Sequence, residues 1–321
     1  MSLSPLGRVV EIAENGRYLA KSRGFLTVSV KGEEIGRVPL DDLGAVIATA
    51  SGTSASCALL AELAERGVPF VVCGRNFSPA GLVWPVEGHH AQQRRMEAQI
   101  AAPRTLGKRL WSEIVAAKVL RQGATLAAVG QKAGAFARLA RLVKSGDPEN
   151  IEAQAARRYW HLLLGPEFRR DREAEGANGL LNYGYTVLRG ATARAIAAAG
   201  LHPGLGIFHR HPHNAMPLAD DLMEPFRPAV DLIVHGLVGA GVGELTPDAK
   251  RRLVGVLTAE ETTRAGRTPL STCLIRLAAS LADSFMSGVP ALELPLPGVP
   301  RGTTEVEDAG DSFGEVDGPD G

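Results

Sequence analysis

Near residue 90 the apolar residues change their spacing, and that change divides the chain into two parts built from different elements. Up to about residue 85 they fall in short runs broken by turn-forming residues: "RVVEI" (Arg8 to Ile12), "RYLA", "GFLTVSV" (Gly24 to Val30), "GRVPL", "AVIATA", "PFVVCG" and "GLVWPV". Runs of this length and composition predict strands. Asn15-Gly16 lies between the first two and predicts a hairpin. One helix interrupts the series: "TSASCALLAELAERG" offers Thr53 or Ser54 as N-cap, Leu60, Leu63 and Ala64 on one face, and Gly67 as the stop.

From about Met96 to Met286 the apolar residues recur three and four apart and alanine is abundant, the pattern of packed helices. The predicted fold class is therefore α+β, with a small β-rich domain over residues 1–88 and a larger, all-helical domain over 95–295. Residues 86–95 carry the boundary. Beyond Pro290 the chain turns Pro/Gly-rich and then acidic, so 296–321 is expected to be a disordered tail.

Zero net charge conceals an uneven distribution. Arg94 to Arg172 hold sixteen Lys/Arg against seven Asp/Glu, a balance of +9, whereas Arg301 to Gly321 hold one Arg against seven acids, a balance of −6. The basic stretch suits either a polyanion or an ordinary solvated helix face. Within it, "KVLRQGATLAAVGQKAGAFARLARLVKSGDP" reads as amphipathic, with Lys and Arg opposite the apolar stripe and a break at Gly146 and Pro148. With 45% hydrophobic and 22% charged residues the composition is that of a folded globular chain, which excludes a disordered polymer. Cys57, Cys73 and Cys273 stand singly in apolar surroundings and read as reduced core residues of a cytoplasmic protein. No run approaches the roughly 18 apolar residues of a membrane span. P-loop, dinucleotide fingerprint and paired Cys-x-x-Cys motifs are missing, so no nucleotide-driven chemistry is indicated.

The chemistry-bearing side chains concentrate in "HRHPHNAMPLADDLMEPFRP", His209 to Pro228. His209, His211 and His213 alternate, as zinc ligands on an extended segment could, yet no cysteine is near to complete a structural site. Asp220 fits a helix N-cap, and Asp221 and Glu224 lie one turn apart on the same face. Glu224 sits between Leu222, Met223 and Phe226. A buried carboxylate there needs a partner such as Arg227, His209 or a metal ion.

Upstream, "SGDPENIEAQAARRYW" places Asp147 as N-cap and Pro148 at the first position, with Glu152 well inside the helix. Glu152 heads a stripe of Ala156, Tyr159 and Leu163; an ion pair with Arg157 at the surface explains it as readily as a ligand role. "NGLLNYGYTVLRGATARAIAAAG" predicts a long helix from about Asn178 to Gly200. Its polar interruptions, Asn182, Tyr183 and Arg189, suit helix packing as well as ligand contact.

Four ordered blocks, "IEAQAARRYW", "LLNYGYTVLRG", "AAGLHPGLGIFHR" and "NAMPLADDLMEPFRPAVD", resemble the signature blocks of the CRISPR-associated integrase family, the catalytic subunit of spacer acquisition. "GRVVEIAENGRYLAKSRGFLTV" and "RVPLDDLGAVIA" resemble its opening strands, and the resemblance extends from about residue 7 to 290. The residues "GIFHR…NA…LADDLMEPFRP" are most similar to the version in type II systems.

The resemblance implies an N-terminal dimerisation domain and a helical catalytic domain that binds metal and DNA. It implies Glu152, His209 and Glu224 as ligands of a catalytic Mg²⁺ or Mn²⁺, with Asp221, Asn182 and Tyr183 as additional candidates. Arg157, Arg158, Arg189, Arg210 and Arg227 become candidates for DNA contact. The implied partners are a prespacer duplex, the CRISPR repeat, a second copy of the chain, a small ferredoxin-like CRISPR-associated protein and the type II effector nuclease. The implied reaction is attack of a DNA 3′-hydroxyl on a repeat phosphodiester. Two other functions suit the same residues: a metal-dependent endonuclease that uses water, and a non-catalytic nucleic-acid-binding scaffold.

Overall fold

The computed structural model describes residues 8–74, 79–83, 85–86, 89–209 and 213–302. Strands β1 (Arg8–Ile12), β2 (Arg17–Ser22), β3 (Phe25–Val30), β4 (Glu33–Pro39), β5 (Leu43–Ala48), β6 (Ser54–Ala55), β7 (Phe70–Cys73) and β8 (Pro79–Val83) form the N-terminal part, with helix α1 (Cys57–Glu65) between β6 and β7. They build two sheets, ordered β1-β5-β7-β8 and β4-β3-β2-β6.

β5 is buried at all six positions and pairs in parallel with β1 and β7. Such a strand must be apolar on both faces, as "LGAVIA" is. Its two faces serve different cores: Val46 packs among the N-terminal residues and Ile47 joins the core of the helical part. The first sheet is therefore the floor on which the helices stand.

Asn15-Gly16 does not make a hairpin. β1 and β2 belong to different sheets, and the turn carries the chain between them, held by Gly52 N–H donating to Asn15 Oδ1 at 2.8 Å. Two hairpins of this region turn at Arg23-Gly24 (φ 47° and 84°) and Lys31-Gly32 (φ 50° and 92°). Positive φ at both central residues matches the twist of the flanking strands, and glycine supplies the second without strain. The α1 cap also differs from expectation: Ser56 receives the Leu59 N–H, because Ser54 and Ala55 pair with β2 as strand β6.

The second part holds α2 (Gln92–Ala101), α3 (Arg104–Ala128), α4 (Gly134–Leu142), α5 (Ile151–Leu164), α6 (Ala177–Ala198), α7 (Pro217–Met223), a 3₁₀ turn (Glu224–Phe226), α8 (Arg227–Gly239), α9 (Pro247–Val254) and α10 (Leu270–Ser287). α6 is the axis, buried nearly all round and packed against α7, α8, α9, α10 and β5.

This part is not all helix. β9 (Glu260–Thr263) and β10 (Gly266–Pro269) form an antiparallel hairpin, clamped to α3 by a buried bidentate pair in which Arg121 donates to both Glu261 oxygens at 2.6 and 2.7 Å. The start of the expected disordered tail is also ordered: Leu296 N–H donates to Thr262 O, and Arg301 exchanges backbone hydrogen bonds with Glu260. Residues 303–321 lie outside the described set. The predicted break at Gly146 is preceded by an earlier one, since α3 stops at Ala128 and α4 starts at Gly134. Lys118 and Arg121 do not face solvent; both are buried. Among the described residues no helix is long and apolar enough to cross a membrane.

Candidate active site

α3 touches α5, α7, α8 and the 3₁₀ turn, and beside those contacts opens a cavity of about 680 Å³. Its walls include Lys118, Glu152, Arg170, Arg172, Asn182, Tyr185, Arg189, His209, His213, Asn214, Asp220, Glu224 and Arg227. The three ligand candidates, which lie far apart in sequence, thus share one pocket.

Glu152 stands in the first turn of α5, not well inside it. The helix starts three residues later than expected, with Asn150 in the left-handed region as N-cap, while Asp147 accepts the Ile151 and Glu152 N–H groups, each at 2.9 Å. Glu152 therefore sits at the positive end of the helix dipole, which favours the carboxylate. It does not pair with Arg157. Lys118 Nζ donates to Glu152 Oε1 at 2.6 Å, and the same ammonium lies 2.5 Å from Glu224 Oε2. Both carboxylates are thus held by the one buried ammonium.

Glu224 opens the 3₁₀ turn with its side chain only 6% exposed, and Arg227 Nε lies 3.0 Å from its Oε1. Burial alone would raise the Glu224 carboxyl, but Arg227 and then Lys118 outweigh it and hold the group below the usual carboxylate range. Burial likewise works against the Lys118 ammonium, and Glu224 and Glu152 overcome that effect, so the lysine stays charged. Arg227 in turn rests over the Tyr185 ring, 4.6 Å from its centre.

His209 belongs to the loop joining α6 to α7. Asp221 is fully buried beneath that loop: its Oδ2 accepts the Ile207 and Phe208 N–H groups at 2.6 and 3.0 Å, and its Oδ1 accepts the His209 N–H at 3.3 Å. The same Oδ1 lies 2.6 Å from His209 Nδ1, which places the ring proton there and leaves Nε2 free to act as a donor of electrons. This hydrogen bond raises the imidazole above its ordinary value, against the effect of burial. The loop can approach so closely because residue 206 is glycine; a Cβ there would lie 2.5 Å from the His209 carbonyl oxygen. The imidazole edge meets Trp111 and Phe208, whose own rings stack in parallel at 4.4 Å.

The arginines form the remaining wall. Arg189 is held by Asp220, with Nε 2.8 Å from Oδ1, and donates to Asn214 Oδ1 at 2.9 Å. Asp220 is thus an arginine partner, and Met216 occupies the α7 N-cap. Asn182 is in the site but serves the loop before α6: it accepts from Arg170 at 2.6 Å and donates to the Arg172 carbonyl. Tyr183 is elsewhere. Its hydroxyl donates to Glu11 at 2.9 Å, tying α6 to β1. Arg157 and Arg158 are exposed on α5 and do not line the cavity, while Arg210 and His211 lie outside the described residues.

Sequence reasoning missed Lys118, Arg170, Arg172 and Asn214 as parts of the site. For Lys118 a signal existed: counting Trp111, Ile114, Lys118, Gln122 and Thr125 at steps of three and four puts the lysine on the buried face of α3.

As they stand, no three His, Cys, Asp or Glu side chains among the described residues close tightly enough to hold a metal ion. The donor set nevertheless fits one. Two carboxylates already share a cation, and an imidazole with its Nδ1 fixed by a carboxylate shares their pocket. That last arrangement is the usual outer support of a metal-ligating histidine. Two oxygens and one nitrogen suit Mg²⁺ or Mn²⁺.

The family model described as CRISPR associated protein Cas1 matches residues 10–265. A CRISPR-associated endonuclease Cas1 from Neisseria meningitidis serogroup C (strain 8013) is 38% identical over 250 residues, covering 77% of this chain and 82% of that protein. A second such protein, from Pyrobaculum aerophilum, is 29% identical over 294 residues, covering 86% and 98%. Among solved structures, a casposase bound to integration product superposes with a TM-score of 0.75 at 20% identity, covering 89% of this chain and 92% of that one. A Cas1 protein from Thermotoga maritima gives 0.70 at 17%, covering 89% and 99%. At such identities the superpositions speak for the fold. The matched family model and the Neisseria relative establish more than fold: this chain belongs to the Cas1 family of CRISPR-associated proteins.

Proposed function

We propose that this protein is the integrase of CRISPR spacer acquisition, joining the 3′-hydroxyl of a prespacer DNA to a phosphodiester of the repeat. The observation that carries the reading is the meeting of Glu152, Glu224 and His209 in one cavity walled by Arg170, Arg172, Arg189 and Arg227, in a chain of this family. Glu152, Glu224 and the Nε2 of His209 are the groups that would hold Mg²⁺ or Mn²⁺. When bound, such an ion supplies Lewis acidity against the negative charge that develops on the attacked phosphate.

In the reaction the 3′-hydroxyl oxygen forms a new P–O bond as the existing P–O bond of the repeat strand breaks. The leaving oxygen becomes a new 3′-hydroxyl. One phosphodiester replaces another, so no nucleotide triphosphate is consumed, in keeping with a sequence that carries no P-loop. The chain's residues prepare the site. Asp221 fixes the imidazole and its tautomer, Arg227 and Lys118 keep Glu224 ionised, and the arginines offer fixed positive charge to the DNA backbone.

The N-terminal sheets are the proposed dimerisation domain. A homodimer, with the small ferredoxin-like protein as its assembly partner and the type II effector nuclease as a further one, completes the reading. A solved Cas6-RT-Cas1–Cas2 complex whose chain this one resembles supports a CRISPR-associated assembly partner; the superposition has a TM-score of 0.72 at 20% identity, covering 92% of this chain and 37% of that one.

The test is a joining assay with a labelled duplex, a repeat-containing plasmid and Mg²⁺ or Mn²⁺. Products longer than the labelled strand, lost when its end is 3′-deoxy, support integration. Wild-type joining by Glu224→Ala overturns it. The Neisseria relative's description as an endonuclease favours hydrolysis as a second reading, and that reading predicts only shorter products.

A further inference from the structure

We propose that Lys118 is a built-in counter-cation: its ammonium fills the position between Glu152 and Glu224 until a divalent ion takes that place, so the two cations compete. The proposal rests on the assignment of Glu152, Glu224 and His209 as metal ligands.

Lys118 lies on the buried face of α3, 8% exposed, in a row that otherwise carries Trp111, Ile114, Gln122 and Thr125, none of them charged. A lysine is out of place there unless an anion demands it. Two anions do. Glu152 Oε1 and Glu224 Oε2, which come from different elements, both lie within 2.6 Å of its nitrogen. Without a cation between them, two carboxylates so placed would repel each other in a setting that screens poorly.

The charge balance shows that a positive charge must yield. Glu152 and Glu224 contribute two negative charges, and Lys118 and Arg227 offset them with two positive ones. A divalent ion held by the same carboxylates leaves the cluster two charges in excess. Arg227 meets Glu224 at its other oxygen, Oε1, and rests over the Tyr185 ring, so it does not stand between the two carboxylates. Lys118 does. Its ammonium ends a flexible four-carbon stem, and it is the group that lies against both carboxylates, where the incoming ion would sit. The arrangement keeps the ligands in register before metal arrives and raises the metal concentration at which the site fills.

The test compares Mn²⁺ affinity, read from the electron paramagnetic resonance signal of free Mn²⁺, with the thermal midpoint in EDTA and in Mn²⁺. Coupled sites of this kind commonly alter each other's affinity by about 5–150-fold. Lys118→Met should therefore bind Mn²⁺ about tenfold tighter or more, melt lower than wild type in EDTA, and gain more from Mn²⁺. Lys118→Arg bridges the same carboxylates with a stiffer, bidentate cation and should bind Mn²⁺ more weakly than wild type while staying folded in EDTA.

If wild type binds Mn²⁺ and Lys118→Met binds it no tighter, or Lys118→Arg binds it as well as wild type, Lys118 is not a competitor and the proposal falls alone. If neither wild type nor Lys118→Met binds Mn²⁺ at millimolar concentration, the ligand assignment falls and takes the proposal with it.

Discussion

Asp221 holds His209 at both its backbone and its ring: one carboxylate oxygen accepts the His209 N–H at 3.3 Å and lies 2.6 Å from its Nδ1, while the other accepts two neighbouring N–H groups. Removing that carboxylate leaves buried donors without acceptors, each at a cost of about 1–3 kcal/mol. Asp221→Ala should lower unfolding stability by several kcal/mol in urea titrations. Asp221→Asn keeps one acceptor oxygen and should lose less. Its effect should fall on chemistry, with joining reduced about 10–100-fold, the range seen when outer-sphere support of a ligand is lost. Equal stability losses in the two variants would sink this account.

Variants of Glu152 and Glu224 should differ in stability although both residues are proposed ligands of the same ion. Glu224→Ala leaves buried Lys118 and half-buried Arg227 with one counter-charge fewer, and breaking a buried pair from one side costs about 3–5 kcal/mol. Glu152 is more open, 22% exposed, and its loss leaves Lys118 paired with Glu224. Glu152→Ala should therefore abolish joining with a midpoint close to wild type, and Glu224→Ala should abolish it with a clearly lowered one. Calorimetry of the two variants side by side decides the matter.

The strands were legible because each is a short apolar run between turn residues, and α6 because its apolar positions persist for six turns before Gly200. What the sequence could not show was partnership over distance. Asn15-Gly16 announces a tight turn correctly, but no local signal says that the strands on either side pair with different neighbours. The β9–β10 segment, "EETTRAGRTP", reads as polar surface because its inward Glu261 is neutralised by Arg121, 140 residues earlier. In the site, Glu224 betrayed itself by its apolar flanks. Glu152 did not, since its partner lies on α3, 34 residues away. Only the family's motif blocks singled it out.

Asp231 makes the fold sensitive to pH through a group outside the ligand set. It is buried, receives the Tyr185 hydroxyl hydrogen bond, and has its carboxyl pushed up to about 7, with burial as the main cause. The unfolded chain releases this proton near pH 4, so between about pH 4 and 7 the folded state binds more protons than the unfolded one. Stability then falls as pH rises across that window and levels off above it. The contribution is on the order of 4 kcal/mol at full extent. Asp231→Asn has no such proton. Its stability relative to wild type should rise steadily from pH 4 to 7 and stay flat above 8. A difference that is the same at pH 5 and pH 8 would show that Asp231 is ionised throughout.

Arg172 separates DNA contact from structural support more cleanly than the other arginines of the cavity. Arg189 is tied to Asp220, Arg227 to Glu224, and Arg170 to Asn178 and Asn182, so their removal disturbs the site as well as any DNA on it. Arg172 is exposed at the cavity wall, and the contact that fixes its position is made by its backbone carbonyl, which accepts from Asn182. An alanine keeps that carbonyl. Arg172→Ala should therefore melt within about 0.5 kcal/mol of wild type, as surface substitutions commonly do. If its guanidinium meets a phosphate, the slope of log affinity against log salt should shrink by about 0.9, one released counterion. Arg157→Ala, on a part of α5 that does not line the cavity, serves as the reference and should leave that slope less changed. Fluorescence anisotropy of a labelled duplex at several salt concentrations gives both slopes. If Arg157→Ala flattens the slope more than Arg172→Ala, the DNA path follows the outer face of α5 and bypasses the arginine wall.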